Sequence, residues 1–154
     1  MSDHSVSDIL RTAIQREIDA FNLYSAAAKK SELPHVVSLL KDLAAQEVGH
    51  RHRLEALLAG NVFQALSDAQ RKKVVDLKIA DYLVEVPLTP DSDLQDVLIV
   101  AAKREKASHD LYAALAQVAE DDATVQLFEY LAGEELTHKN RVESLYEDIV
   151  YREN

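Results

Sequence analysis

Four stretches of this chain place apolar residues at alternating steps of three and four. No other feature constrains the fold so tightly. The first stripe is Ile9, Ala13, Glu17, Ala20, Tyr24, Ala27, and the second is Val36, Leu40, Leu43, Glu47, His50, Leu54, Leu57. The third is Leu94, Leu98, Ala101, Glu105, Ser108, Tyr112, Leu115, and the fourth is Phe128, Leu131, Glu135, His138, Val142, Leu145, Ile149. Such steps line one face of an α-helix. Four helices with one sticky face each must bury those faces together, which predicts an all-α four-helix bundle. With 154 residues the chain is long enough for one domain, 1–154, with a real core. Three Gly and three Pro are too few for the turns of a barrel or sandwich.

Local signals divide the stripes into helices at about 5–30, 34–59, 93–119 and 122–150. Pro34 suits a first helical turn after the break at Ser31, and Gly60 suits a helix end. Pro87 and Pro90 precede the third helix, where Ser92 and Gln95 read as a capping box. Asp121 and Asp122 suit the start of the fourth. The short breaks make two antiparallel hairpins. Residues 61–92 form a long crossover between them, with Ser67 and Gln70 suggesting a short helix inside it.

The net charge is −10 and there is no basic stripe, which argues against nucleic acid or an anionic membrane as partner. Arg71, Lys72 and Lys73 read as a solvated face of the crossover. The absence of cysteine excludes disulfides, thiolate zinc, iron–sulfur clusters and thiol catalysis within these residues. The opening MSDHSVSD lacks a basic, then apolar, leader pattern, and no apolar run reaches spanning length. A cytoplasmic location is therefore expected.

The two halves repeat with a shift of 88 positions, the interval from Glu17 to Glu105. The same shift carries Tyr24 to Tyr112, Leu43 to Leu131, Glu47 to Glu135, His50 to His138, Arg53 to Arg141 and Leu57 to Leu145. Two hairpins of one pattern would pack about an approximate twofold axis, with their matched polar residues facing across it.

Those polar residues are out of place in an ordinary core. Glutamate is almost never fully buried without a partner. Four converging carboxylates would lose hydration and repel. No Lys or Arg shares the stripes, so internal ion pairs are not the expected remedy; protons or metal cations are. Glu47 to His50 and Glu135 to His138 both read E-x-x-H, nearly one helical turn, so each pair projects from one face. Carboxylate with imidazole suits iron, manganese and zinc. Two E-x-x-H helices and one lone glutamate from each of two others form the ligand set of di-iron and di-manganese bundles. A single E-x-x-H is weak evidence, since Glu and His are common on solvated faces. Here there are two, each preceded by a lone glutamate at an interval of 30 positions, Glu17 to Glu47 and Glu105 to Glu135. Glu17, Glu47, His50, Glu105, Glu135 and His138 are thus the candidate ligands, able to hold two cations about 3.5–4 Å apart. The competing metal-free bundle would need all four stripes rotated outward.

The segments AIQREIDAFNLY, LAAQEVGHRHRLE, AAKREKASHDLY and LAGEELTHKNRVE resemble the ligand helices of the rubrerythrin branch of the ferritin-like superfamily. The resemblance implies a ferritin-like bundle with two iron ions, with Glu47 and Glu135 as the bridging pair, and commonly a homodimer. It implies a di-iron oxidoreductase acting on peroxide or dioxygen. The alternative is a ferroxidase that oxidises Fe(II) for storage, delivery or detoxification, and a bundle that has lost its metal is a third class. Manganese, or a mixed iron–manganese pair, suits the same donors. Two departures stand out. Typical members carry a rubredoxin-like domain with cysteine-ligated iron, whereas this chain ends at Asn154 without cysteine, so an external electron donor protein is expected. They also carry a further glutamate one turn before the third-helix ligand, where this chain has Ala102, matched by Ile14 in the first half. With so short a tail after the fourth helix, the fifth helix of a cage-forming ferritin is not expected.

Tyr24 and Tyr112 each follow a lone glutamate by about two turns. They are placed to donate to a ligand carboxylate across the bundle and orient it, or simply to satisfy a core phenol. Gly49 and Gly133 lie inside helices, either to allow close approach or a bulge near the metals, or as tolerated surface glycines. His109 reads as a packing or partly exposed residue, and His4, His35 and His52 as surface residues.

Overall fold

The computed structural model describes residues 6–60 and 92–153, and the statements below concern these. They form four helices: α1 (Val6–Lys30), α2 (Pro34–Ala59), α3 (Leu94–Val118) and α4 (Asp122–Glu153). Among the described residues there is no strand. The helix boundaries have local causes. Asp8 in the first turn and Lys29 and Lys30 in the last complement the dipole of α1. Pro34 opens α2 behind an extended Leu33. Gly60 ends α2 with its N–H donating to Ala56 O at 3.0 Å, and at φ −76° it remains right-handed. Asp121 caps α4 by accepting from the Thr124 N–H at 3.0 Å.

The start of α3 differs from the Ser92–Gln95 capping box expected from sequence. Asp93 is the cap: its backbone is extended and its carboxylate accepts the Asp96 N–H at 2.9 Å. Aspartate caps as well as serine, and its charge also favours the positive end of the helix dipole. Ser92 lies one residue ahead, where its carbonyl accepts from Lys30 Nζ at 3.2 Å and ties α3 to the end of α1. The expected crossover, its Ser67–Gln70 cap, Arg71 to Lys73, Pro87, Pro90 and His4 lie outside the described residues.

Helices α1 and α2 pack as one hairpin and α3 and α4 as the other; α1 then meets α3, and α2 meets α4. This is the ferritin-like four-helix bundle. Every residue of the four stripes is buried except Ala20 and Leu94, which are half-buried. The apolar residues divide into two clusters. One joins Ile9, Leu10, Leu54, Leu111, Phe128 and Leu131, and the other joins Leu40, Leu43, Val97, Leu98, Ala101 and Val142. The internal repeat maps one onto the other: Leu10 matches Leu98, Leu54 matches Val142, and Leu40 matches Phe128. Between these clusters lies the polar layer. No described helix is long and apolar enough to cross a membrane.

Candidate metal centre

Each helix delivers its polar residue into the middle layer because that residue occupies the apolar face. Glu17 comes from α1, Glu47 and His50 from α2, Glu105 from α3, and Glu135 and His138 from α4, and none is more than 2% exposed. His50 Nδ1 lies 2.9 Å from Glu135 Oε1, 3.5 Å from Glu17 Oε2 and 3.9 Å from Glu47 Oε2. His138 Nδ1 lies 2.8 Å from Glu47 Oε1 and 3.8 Å from Glu105 Oε2. The two imidazoles stack, with centroids 5.3 Å apart. Ligand atoms of Glu47, His50, Glu135 and His138 fall within 4.8 Å of one another, close enough to share a metal ion, and Glu17 and Glu105 flank them.

The tyrosines cross over. Tyr24 donates to Glu105 Oε1 and Tyr112 to Glu17 Oε1, each at 2.6 Å and fully buried. Each phenol therefore holds one oxygen of the lone glutamate on the facing helix. The other oxygens, Glu17 Oε2 and Glu105 Oε2, have no hydrogen-bond partner. The same is true of both Glu47 oxygens, Glu135 Oε1, His50 Nδ1 and His138 Nδ1. Seven buried atoms therefore converge with chiefly one another as neighbours, an arrangement that shared protons or a cation would complete. This donor set fits divalent cations: the orphaned atoms are all carboxylate oxygens or imidazole nitrogens, and they face one layer.

The electrostatics record the strain of the metal-free layer. Burial, reinforced by the neighbouring carboxylates, pushes Glu47, Glu105 and Glu135 well above the usual carboxylate range. Burial also opposes the charge on Glu17, but proton-sharing contacts with Glu47, His50 and Tyr112 outweigh it and hold Glu17 low. Burial, then the charge of His50, lowers His138 to about 4, so its ring is neutral and its lone pair is available. For His50 burial acts in the same direction, yet the contact with Glu17 and the charges of Glu17, Glu134 and Glu105 reverse it and raise the ring. Desolvation and the surrounding carboxylates push Tyr24 and Tyr112 well up, so both remain phenols.

Three contributors escaped the sequence reading. Arg16, beside Glu17, brings a positive charge to bear on Glu135 and Glu17, so the layer is not without a cation. It sits off the apolar stripe, although the repeat pairs it with Arg104. Gln46 and Glu134 each precede an E-x-x-H glutamate and are matched by the repeat. Both approach the outer nitrogen of a histidine from the facing helix: His138 Nε2 donates to Gln46 Oε1 at 2.6 Å, and Glu134 Oε1 lies 3.7 Å from His50 Nε2. His109 instead meets the Ala132 carbonyl at 2.8 Å, and His35 and His52 are exposed. Gly49 and Gly133 are exposed in unbroken α-helix, and an added Cβ at either would meet nothing within 4 Å. Neither glycine serves a close approach or a bulge; each is a surface glycine.

Two comparisons with known proteins found matches. A family model described as Rubrerythrin matches residues 8–146. The solved structure of a hypothetical protein from Pyrococcus furiosus superposes with a TM-score of 0.75. That pair is 21% identical, over 98% of this chain and 94% of the other. At that identity the likeness speaks to the fold. No curated protein gives a significant match.

Proposed function

The chain belongs to the rubrerythrin family, and from that premise we propose that its polar layer holds two iron ions and reduces peroxide or dioxygen with electrons from an external donor protein. The observation that carries this reading is the convergence of orphaned carboxylate and imidazole atoms between two dry apolar clusters. Glu17, Glu47, His50, Glu105, Glu135 and His138 would hold the pair, with Glu47 and Glu135 shared between the ions. Manganese in one or both positions satisfies the same donors. When bound, reduced iron supplies electrons and polarises an O–O bond.

The chain's own residues have separate tasks. Tyr24 and Tyr112 fix one oxygen of Glu105 and Glu17, so the remaining oxygen of each faces the layer. The neutral ring of His138 offers Nδ1 without first losing a proton. Carboxyls that hold protons in the metal-free state release them as cations arrive. The flanking apolar clusters keep bulk water away. A homodimer in the cytoplasm belongs to the same proposal.

Stepwise addition of Fe(II) to metal-free protein in air, followed by ferric absorbance, tests it. The expected trace breaks at about two irons per chain. Competition between peroxide and dioxygen for the reduced protein then identifies the oxidant. Continued uptake far past two would favour iron handling over reduction. Absence of protein-dependent oxidation would overturn both. Glu47→Ala combined with Glu135→Ala should remove the break while leaving helix content intact.

A further inference from the structure

The internal repeat is faithful at every candidate ligand and at the two tyrosines that hold Glu17 and Glu105, but it breaks behind the two histidines. Gln46 stands where the other half has Glu134, and Asp42 stands where it has Tyr130. These four residues lie behind the two histidines, on the side away from the carboxylate layer. The surroundings of the outer nitrogens therefore differ.

Behind His138 the chain of contacts is fully made. His138 Nε2 meets Gln46 Oε1 at 2.6 Å, Gln46 Nε2 donates to Asp42 Oδ2 at 2.9 Å, and Arg141 donates to the same Asp42 oxygen at 2.9 Å. This fixes the tautomer. The amide must turn its N–H toward the carboxylate, so its oxygen faces the ring, and the ring must donate from Nε2. The anion, Asp42, stands one amide away from the ring and is paired with Arg141. Behind His50 a carboxylate faces the ring directly: Glu134 Oε1 is 3.7 Å from Nε2 and also accepts from the Tyr130 hydroxyl at 3.1 Å. The cation on this side, Arg53, lies over the far partner, 4.9 Å from the Tyr130 ring centroid. One imidazole is thus backed by a neutral amide and the other by a negative charge.

An anion behind a ligating imidazole strengthens its donation to a metal, because the ring N–H becomes more acidic as its opposite nitrogen takes the cation. A shift of about 1 Å would bring Glu134 to the ~2.7–2.9 Å of a charge-assisted bond, about twice the strength of a neutral one. Resting on the paired-metal reading above, we propose that Glu134 and Gln46 are positioning residues that make the two metal positions unequal. The position served by His50 binds a divalent cation more tightly, and fills first, while that served by His138 fills second.

The test is stepwise Co(II) binding to the metal-free full chain, read by calorimetry and by the visible absorption of the bound ion. Two cations sharing carboxylates repel, so unequal constants alone are not diagnostic; the response of each constant to a single substitution is. Glu134→Gln should weaken the tighter constant by about 10-fold or more and leave the weaker one within about threefold. Gln46→Glu should do the reverse, strengthening the weaker constant and narrowing the gap. Both changed residues lie outside the candidate ligand set, and far-UV circular dichroism verifies folding. Two bound ions whose constants ignore both substitutions would overturn this inference and leave the paired site standing. Weakening of the looser constant by Glu134→Gln would overturn the assignment to His50. No Co(II) binding by the unaltered chain would overturn the paired site and this inference together.

Discussion

The two apolar clusters and the polar layer between them are equally buried, but they do opposite work. In the clusters each side chain loses water and gains close contacts, about 25 cal/mol for every Å² of apolar surface removed from solvent. In the layer, carboxylates and imidazoles lose water and gain chiefly one another as partners, a set of like charges and shared protons. The comparison separates residues that hold the bundle together from residues that the bundle must hold in place. The fold can tolerate a strained layer because it is sandwiched between clusters that make their contacts without it.

Truncation breaks that comparison most severely in a cluster. Leu98 is fully buried, and Leu98→Ala should cost about 2–5 kcal/mol, read by urea denaturation of the metal-free protein. A loss below about 1 kcal/mol would mean that the cluster is loosely packed and not the source of stability. The layer should respond with the opposite sign. Glu47→Gln with Glu135→Gln removes two carboxyls that burial and mutual repulsion disfavour as anions. At neutral pH the metal-free double variant should be as stable as the parent or up to about 3 kcal/mol more stable. The same variant should lose the stabilisation that saturating metal confers on the parent, about 4 kcal/mol at a thousand times Kd. Strong destabilisation of the metal-free variant would show that these carboxyls brace the fold.

pH sharpens the contrast, because the carboxyls and imidazoles that folding perturbs lie in the layer. Glu47, Glu105 and Glu135 have raised values in the folded chain, so the native state holds protons that the unfolded chain releases. Their contribution is fully present below the ordinary carboxylate value of 4.5 and is lost as pH rises through the raised values. His50, also raised, adds to the loss above 6.5. His138 opposes it: lowered to about 4, it contributes stability above 6.5 that is lost as pH falls toward 4. Glu17 is lowered too, and its contribution, present above 4.5, is lost as pH falls through its folded value. Three carboxyls and one ring outweigh one ring and one carboxyl, so metal-free thermal stability should fall between about pH 5 and 8. With metal the slope should reverse, since ligation requires deprotonated carboxylates. Parallel curves with and without metal would contradict ligation by these groups.

What could be read beforehand follows from where each residue sits on its helix. Glu17, Glu47, Glu105 and Glu135 were conspicuous because they interrupt apolar stripes at regular steps, and the repeat marked them twice. Tyr24 and Tyr112 were legible for the same reason, including their reach across the bundle. Gln46, Glu134 and Arg16 were not, since each lies one position off a stripe, where a polar residue looks like ordinary solvated surface. The shift of 88 does align Gln46 with Glu134, but an amide opposite a carboxylate, and Asp42 opposite Tyr130, disguise a shared position. Asp93 was passed over as a cap because three acidic or hydroxyl residues precede Leu94 and local pattern cannot rank them. For the glycines the sequence left two readings open, and the structure selects the surface one. Proximity to Glu47 and Glu135 in sequence suggested a role at the layer, but each lies on the solvent side of its helix.

The smallest expected effect tests that last distinction. Gly133 lies two residues before Glu135, yet an added Cβ would meet nothing within 4 Å, and the repeat places Ala45 at the matching position of α2. The carbonyl of Gly133 accepts from Thr137 Oγ1 at 3.0 Å, a contact that a new side chain does not touch. Gly133→Ala should therefore stabilise the protein by up to about 1 kcal/mol, the ordinary difference between these residues inside a helix. Because the substitution acts through the outer surface, it should leave both metal-binding constants unchanged. A gain in stability accompanied by weaker metal binding would mean that the layer needs α4 to flex at Gly133 as the ions enter. The line between the bracing parts of the molecule and the site they hold would then run through the helix backbone and not along its faces.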